Sequence, residues 1–347
     1  MKKKLGLAFS TTLTVLIFSC IENAPKAINK NESSQKAILP SVLPSYSNTN
    51  VISDNSINNT NLNKYITKGL AKTDIENLLP CQGSRVSAVG SITSNDNKTW
   101  VVPAINNYYK NTKAYDLYND CNNFRPKNIN EINLASLNTI EIDKDGEVIT
   151  GFIFADNYFE LYINGKLLAV DPVPFTPFNS SIVKFKAKKP ITYAIKLIDW
   201  EENLGLGTED NHGNKYHSGD GGFIAKFSDG TVTNSKWKAQ SFYISPLEDT
   251  NCVKDSLEGK HDSSSCKTEV NCTNNCQAIH YTLPDNWFKA NFDDSKWEDA
   301  KNYTENEIGV DNKPAYMNFK QEFSGANFIW SNNLILDNEV IIRYTNK

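Results

Sequence analysis

The feature that most constrains this chain is a strict alternation of apolar and polar residues, punctuated by tight-turn dipeptides. From Tyr158 to Ile163, the residues Phe159, Leu161 and Ile163 share one side of an extended chain, because successive side chains of a strand point to opposite faces. Asn164-Gly165 follows at once and supplies the positive φ angles of a two-residue hairpin, so Lys166 to Val170 should return antiparallel. Val183, Phe185 and Ala187 alternate with Lys184, Lys186 and Lys188, an apolar face backed by a wet one. After Pro190 the pattern resumes at Ile191, Tyr193, Ile195 and Leu197. Phe223, Ala225 and Phe227 lead into Ser228-Asp229-Gly230, and Trp237 to Ile244 reads as one more strand, as does Glu147 to Phe154. A hairpin with its turn near Asn95-Asp96-Asn97 reads as an added sheet edge, and a short helix is expected around Thr73 to Leu79. Many short strands separated by Gly, Asn and Pro predict an all-β fold, a sandwich or barrel with few short helices.

The N-terminus carries a different signal. Lys2, Lys3 and Lys4 precede an apolar stretch from Leu5 to Phe18, shorter than the roughly 20 residues needed to span a bilayer. Leu16-Ile17-Phe18-Ser19-Cys20 resembles a bacterial lipobox, in which the Cys is acylated. The expected organisation is a lipoprotein signal peptide over 1–19 and a lipidated Cys20 with a flexible tether over 20–75. An N-terminal β segment over 76–147 then packs on a β-sandwich binding domain over 148–347. The tether follows from the Asn-, Ser- and Lys-rich composition between Ile21 and Asn63, which buries too little surface to offset the entropy of ordering. Such a chain is expected in a bacterial cell envelope, touching the membrane only through its lipid.

Of seven cysteines, Cys20 aside, six remain: Cys81, Cys121, Cys252, Cys266, Cys272 and Cys276. In an oxidising compartment they are expected as disulfides. Proximity favours Cys81 with Cys121 and two bridges among the last four, although sequence alone does not fix the pairing. A zinc site using Cys272, Cys276 and His280 is the competing reading. A net charge of −4 offers no basic field for nucleic acid, which is excluded as a partner.

Two segments are similar to the galactose-binding-like jelly rolls that serve glycosidases as carbohydrate-binding accessory domains. One is Phe159 to Lys166, with its Tyr-x-Asn-Gly hairpin; the other is Phe292-Asp293-Asp294-Ser295-Lys296-Trp297, followed by Phe328 to Arg343. In that family the Asp-Asp-Ser segment precedes the hairpin, whereas here it comes about 130 residues later. The resemblance therefore implies an antiparallel β-sandwich of jelly-roll type, as a permuted domain or as two domains, and a carbohydrate as ligand.

The most unusual stretch is the polar, Gly-rich run from Trp200 to Gly222 between two strong strands. Loops that long inside compact domains are often functional. Glu209, Asp210, His212, His217 and Asp220 are its candidate ligands for one divalent metal, calcium by the oxygens or zinc or copper by the histidines. Trp200, Glu201, Glu202 and Tyr216, with Trp237, are the candidate ligand-binding residues, aromatic faces and acids of the sort that grip sugars. Aromatics fill cores whatever the function, so the other tryptophans are assigned to packing. Asp199, Glu201 and Glu202 also suggest an acid pair for glycoside hydrolysis, but neighbours on a strand face opposite ways. No catalytic residue is assigned. The expected partner is a carbohydrate, with an envelope protein or a metal-dependent hydrolytic role as the alternatives.

Overall fold

The computed structural model describes residues 64–75, 78–79, 81, 85, 89–209, 218–256, 259–270 and 275–347. They belong to the compact unit Asn59–Lys347. The leader, Cys20 and most of the expected tether lie outside the described residues. Six short strands come first: β1 (Lys64–Lys68), β2 (Lys72–Ile75), β3 (Val89–Thr93), β4 (Thr99–Val102), β5 (Tyr115–Tyr118) and β6 (Ile140–Glu141). The longer ones follow: β7 (Glu147–Asp156), β8 (Tyr158–Ile163), β9 (Lys166–Val170), β10 (Ser180–Ala187), β11 (Ile191–Ile198), β12 (Gly222–Phe227) and β13 (Lys238–Leu247). The last group is β14 (Lys254–Asp255), β15 (His261–Asp262), β16 (Gln277–Tyr281), β17 (Glu298–Asp299), β18 (Lys301–Tyr303), β19 (Phe328–Trp330) and β20 (Asp337–Asn346). Among the described residues the only α-helix is the single turn Pro314–Met317.

Two sheets carry the fold. The larger runs β1-β16-β13-β20-β11-β8-β9, with β17 beside β13; the smaller runs β18-β19-β12-β7-β10-β5, with β6 beside β10. All strand pairs in these sheets are antiparallel except β6 with β10. The chain steps from the smaller sheet to the larger between β7 and β8, β10 and β11, β12 and β13, and β19 and β20. This is an antiparallel β-sandwich, as the alternation implied.

The alternating residues meet between the sheets. Phe159, Leu161 and Ile163 of β8, Tyr193, Ile195 and Leu197 of β11, and Val340 and Ile342 of β20 face Val183, Phe185 and Phe154 in one apolar core. The Asn164-Gly165 turn has the positive φ angles its sequence requires, 49° and 82°. β9 returns from it in register, Ile163 opposite Lys166.

The outer face of the larger sheet is covered too, which the alternation does not announce. Its β11 is buried along its whole length. A second cluster, with Phe242, Ile244, Trp287, Trp297 and Ile341, packs under residues from the C-terminal half, and a third, with Tyr108, Tyr158, Phe175 and Trp200, lies under the N-terminal segment. The two segments similar to galactose-binding-like domains come together here. Tyr162 packs its ring against Trp287 and Phe288 at 4.9 and 5.1 Å, and Arg343 donates to Asp294 at 2.7 Å.

Three local expectations change. β1 and β2 fall within the span read as tether, because β1 pairs along its length with β16 and β2 with β3. Lys72–Ile75 is a strand rather than the start of a helix, since pairing to β3 outweighs a local helical preference. The Asn95-Asp96-Asn97 hairpin forms, with Asn97 at φ 60°, but in a separate three-stranded sheet β2-β3-β4 bridged to β1 through Thr67 and Ser94.

Cys81 bonds Cys121 and Cys252 bonds Cys266; Cys276 is disulfide-bonded as well. A disulfide sulfur is no thiolate, so the zinc reading of Cys276 falls. Cys272 lies outside the described residues.

Candidate functional site

At one end of the sandwich β7 finishes at Asp156, β11 runs out into Asp199–Glu209, and β12 begins at Gly222 opposite Asp156. The run from Gly219 to Gly222 reaches β12 through two close approaches. A Cβ at Gly221 would sit 2.3 Å from the Trp330 ring, and one at Gly219 would sit 2.7 Å from Glu201 Oε1 and 2.9 Å from Asp199 Oδ2. Only glycine fits at Gly221, against the buried Trp330 ring, and Asp220 beside it lines a pocket.

The pocket has a volume of about 460 Å³. Asp120, Asp156, Glu209 and Asp220 supply its acidic lining and Arg85 and Lys313 its cations, with Thr176 polar and Tyr118 and Phe178 on the apolar side. Arg85 reaches Glu209 at 2.6 Å and Glu202 at 3.5 Å, and its guanidinium lies 4.8 Å over the Phe175 ring. Asp156 is almost wholly buried and accepts from Asn157 Nδ2 at 2.7 Å. Burial pushes its pKa well above the usual carboxylate range, and the charges of Asp220, Asp199 and Glu209 push it the same way against Arg85. Asp199 and Glu201 lie behind the pocket; burial raises both, with the charges of Glu209 and Asp220 adding at Asp199 and those of Asp199 and Glu209 at Glu201. The arrangement is a concentrated acidic end with a guanidinium clamped into it, suited to hydrogen-bonding a small polar ligand.

The residues expected from sequence divide clearly. Glu209 and Asp220 line the pocket, Glu202 steadies Arg85, and Glu201 stands behind. Asp210, His212, Tyr216 and His217 lie outside the described residues. Trp200 and Trp237 are corrected: both are fully buried, with no open ring face for a sugar. Trp200 packs at 6.0 Å from Tyr158, and Trp237 stacks at 5.3 Å on Tyr344 while donating to Val232 O at 2.9 Å. Among the described residues no group of three or more His, Cys, Asp or Glu is disposed to hold a metal, so Glu209 and Asp220 form no such set by themselves.

Sequence reasoning missed Arg85 and Asp156. Asp156-Asn157 does interrupt the apolar register between β7 and β8, and that break was the available signal. Arg85 stands alone in a stretch without periodicity and offered none.

Fold and site together define a β-sandwich with an acidic end pocket. No family model, curated protein or solved structure matches this chain.

Proposed function

We propose that the folded part is a carbohydrate-binding module of the cell envelope, anchored by a lipid on Cys20, and that its ligand enters the end pocket. The observation that carries this reading is the convergence of Asp156, Glu209, Asp220 and Arg85 on one hollow of about 460 Å³. That size lies within the roughly 300–1,000 Å³ usual for small-molecule sites. Carboxylates accept hydrogen bonds from sugar hydroxyls and a guanidinium donates to them, while Tyr118 and Phe178 offer apolar edges to the ring. The similarity of the Phe159–Lys166 and Phe292–Trp297 segments to galactose-binding-like domains points the same way, as an analogy of fold.

Retention on immobilised glycans tests the ligand. The parent chain should hold at least one glycan, and Asp220→Asn or Arg85→Ala should abolish that binding while the circular dichroism stays unchanged. Failure to retain any glycan, with or without divalent cations, would remove the proposal. The anchor has its own test: fatty-acid labelling of the expressed chain should disappear in Cys20→Ala.

A further inference from the structure

Asp199 and Glu201 do not line the pocket, and their surroundings ask for a different occupant. Their residues are 1% and 2% exposed. Asp199 Oδ2 and both carboxylate oxygens of Glu201 accept no hydrogen bond. The two carboxylates converge on one spot beside the Gly219 backbone, 2.9 and 2.7 Å from where a Cβ would stand. The Gly219 amide is close enough to favour the charged form of Glu201, yet it does not reach hydrogen-bond geometry.

Three further buried polar side chains lie close by and face one another: the Tyr243 hydroxyl, Ser245 Oγ and the Asn338 amide. The backbone ties them together. Asp199 N donates to Asn338 O at 2.9 Å, and Asn338 Nδ2 donates to Ser245 O at 3.2 Å. The Tyr243 hydroxyl lies beside Ser245 and Asn338 and feels the charges of Glu201 and Asp199.

Buried polar atoms nearly always have partners, and an unneutralised carboxylate inside a protein is costly. Here two buried carboxylates without hydrogen-bond partners stand together, with the hydroxyls of Tyr243 and Ser245 and the Asn338 amide on the neighbouring strands and the His280 imidazole behind the Tyr243 ring. An all-oxygen set of mixed carboxylate, amide and hydroxyl character is the environment of a hard cation, and two negative charges match a divalent one. The donors come from three strand ends and a glycine-lined turn rather than from a compact octahedral cage, which suits calcium better than magnesium.

We propose that Asp199 and Glu201 bind a calcium ion, with Asn338 Oδ1 and the hydroxyls of Tyr243 and Ser245 completing its oxygen surroundings. The site differs from the loop set expected from sequence, and it stands whether or not the pocket takes a sugar.

The test uses the full chain, stripped with a chelator and titrated with calcium chloride alone. Calorimetry should show one equivalent bound, with a rise in Tm that saturates at the same ratio and a weaker response to magnesium. Terbium should bind in its place and luminesce through Trp200 and Tyr243, and calcium should displace it; this readout needs no variant. Asp199→Asn and Glu201→Gln should each weaken calcium binding by roughly tenfold or more, since even an outer-shell partner is worth about that much. A stripped chain that takes up no calcium and shows no change in Tm would overturn the proposal, leaving a proton shared by the two carboxyls. Calcium affinity undiminished in the double variant would overturn it equally, by placing the ion elsewhere.

Discussion

The two faces of the larger sheet are built from the same strands and obey opposite chemistry. Its inner face is mainly apolar, with Phe159, Leu161, Ile163, Tyr193, Ile195 and Leu197 against the smaller sheet and Ser241, opposite Val340, a buried polar exception. Its outer face interleaves Glu160, Lys196, Glu339 and His280, all buried. Lys196 and Glu160 face each other in register on β11 and β8, with Nζ 3.1 Å from Oε2. Asn107 donates from its backbone and side chain to the two oxygens of Glu160 at 2.6 and 2.8 Å, and Lys196 donates to Ile105 O at 2.6 Å. The polar face is thus a docking surface for residues 105–107 of the N-terminal segment, held by directed bonds where the inner face is held by area. The contrast teaches that alternation identifies which residues share a side of a strand and says nothing about whether that side meets water.

Breaking each face separately should reveal the difference. Glu160→Ala leaves the Lys196 ammonium buried without its carboxylate and should cost about 3–5 kcal/mol of unfolding free energy. Leu161→Ala, one residue along on the other face, opens a cavity and should cost about 2–5 kcal/mol. Urea unfolding of both variants measures this. The two should also differ in kind: limited proteolysis ought to cut near residues 105–107 in Glu160→Ala and leave that stretch intact in Leu161→Ala. Equal protection in both would mean that the polar face does not hold the N-terminal segment.

The same contrast explains what could be read in advance. The strands and the main hairpin were legible because period-two burial and Asn-Gly turn geometry are local, and Tyr158–Ile163 and Lys166–Val170 fall where the pattern puts them. The second covering layer was not, since it depends on β1, β2 and the 247–297 region folding back across a face that looks solvated. At the candidate site Glu209 and Asp220 were legible as acids in an unusual loop. Trp200 misled because an aromatic beside a polar run looks the same whether it points outward or, as here, into a core. Glu201 was legible as an acid of the same run, whereas Asp199 was considered only as one of an acid pair whose strand neighbours face opposite ways.

Two buried groups sharpen the comparison through pH, with opposite signs. Burial raises Glu339 to about 7, with Lys196 opposing and Glu160 reinforcing the shift. An unfolded carboxylate titrates near 4.3. Between those values the folded chain keeps a proton that the unfolded chain has lost, so the Glu339 contribution falls as pH rises through the window and is constant above about 7. Glu339→Gln should therefore gain on the parent chain across that window, by up to about 3 kcal/mol at pH 8. Asp337, also raised to about 7, keeps part of the slope in the variant. His280, stacked 4.5 Å from Tyr243, is pushed down to about 3 by burial alone. Its unfolded form binds a proton below about 6.5, so this contribution is lost as pH falls from there toward 3. His280→Phe should flatten the acid side of the stability profile and leave the alkaline side alone, as thermal unfolding over a pH series would record.

The smallest effect gives the cleanest discrimination. Lys184 on β10 and Lys196 on β11 look alike in sequence, each a lysine between apolar residues of an alternating strand. Lys196 is 5% exposed and tied to Glu160, whereas Lys184 is only partly buried, on the uncovered side of the smaller sheet. Lys184→Ala should stay within about 0.5 kcal/mol of the parent, as surface substitutions do. Lys196→Ala strands the Glu160 carboxylate and should cost several times more. Denaturation midpoints for the two variants decide the matter. Matching losses at both lysines would mean that the smaller sheet carries a second covered face of its own, and the asymmetry between the faces would disappear.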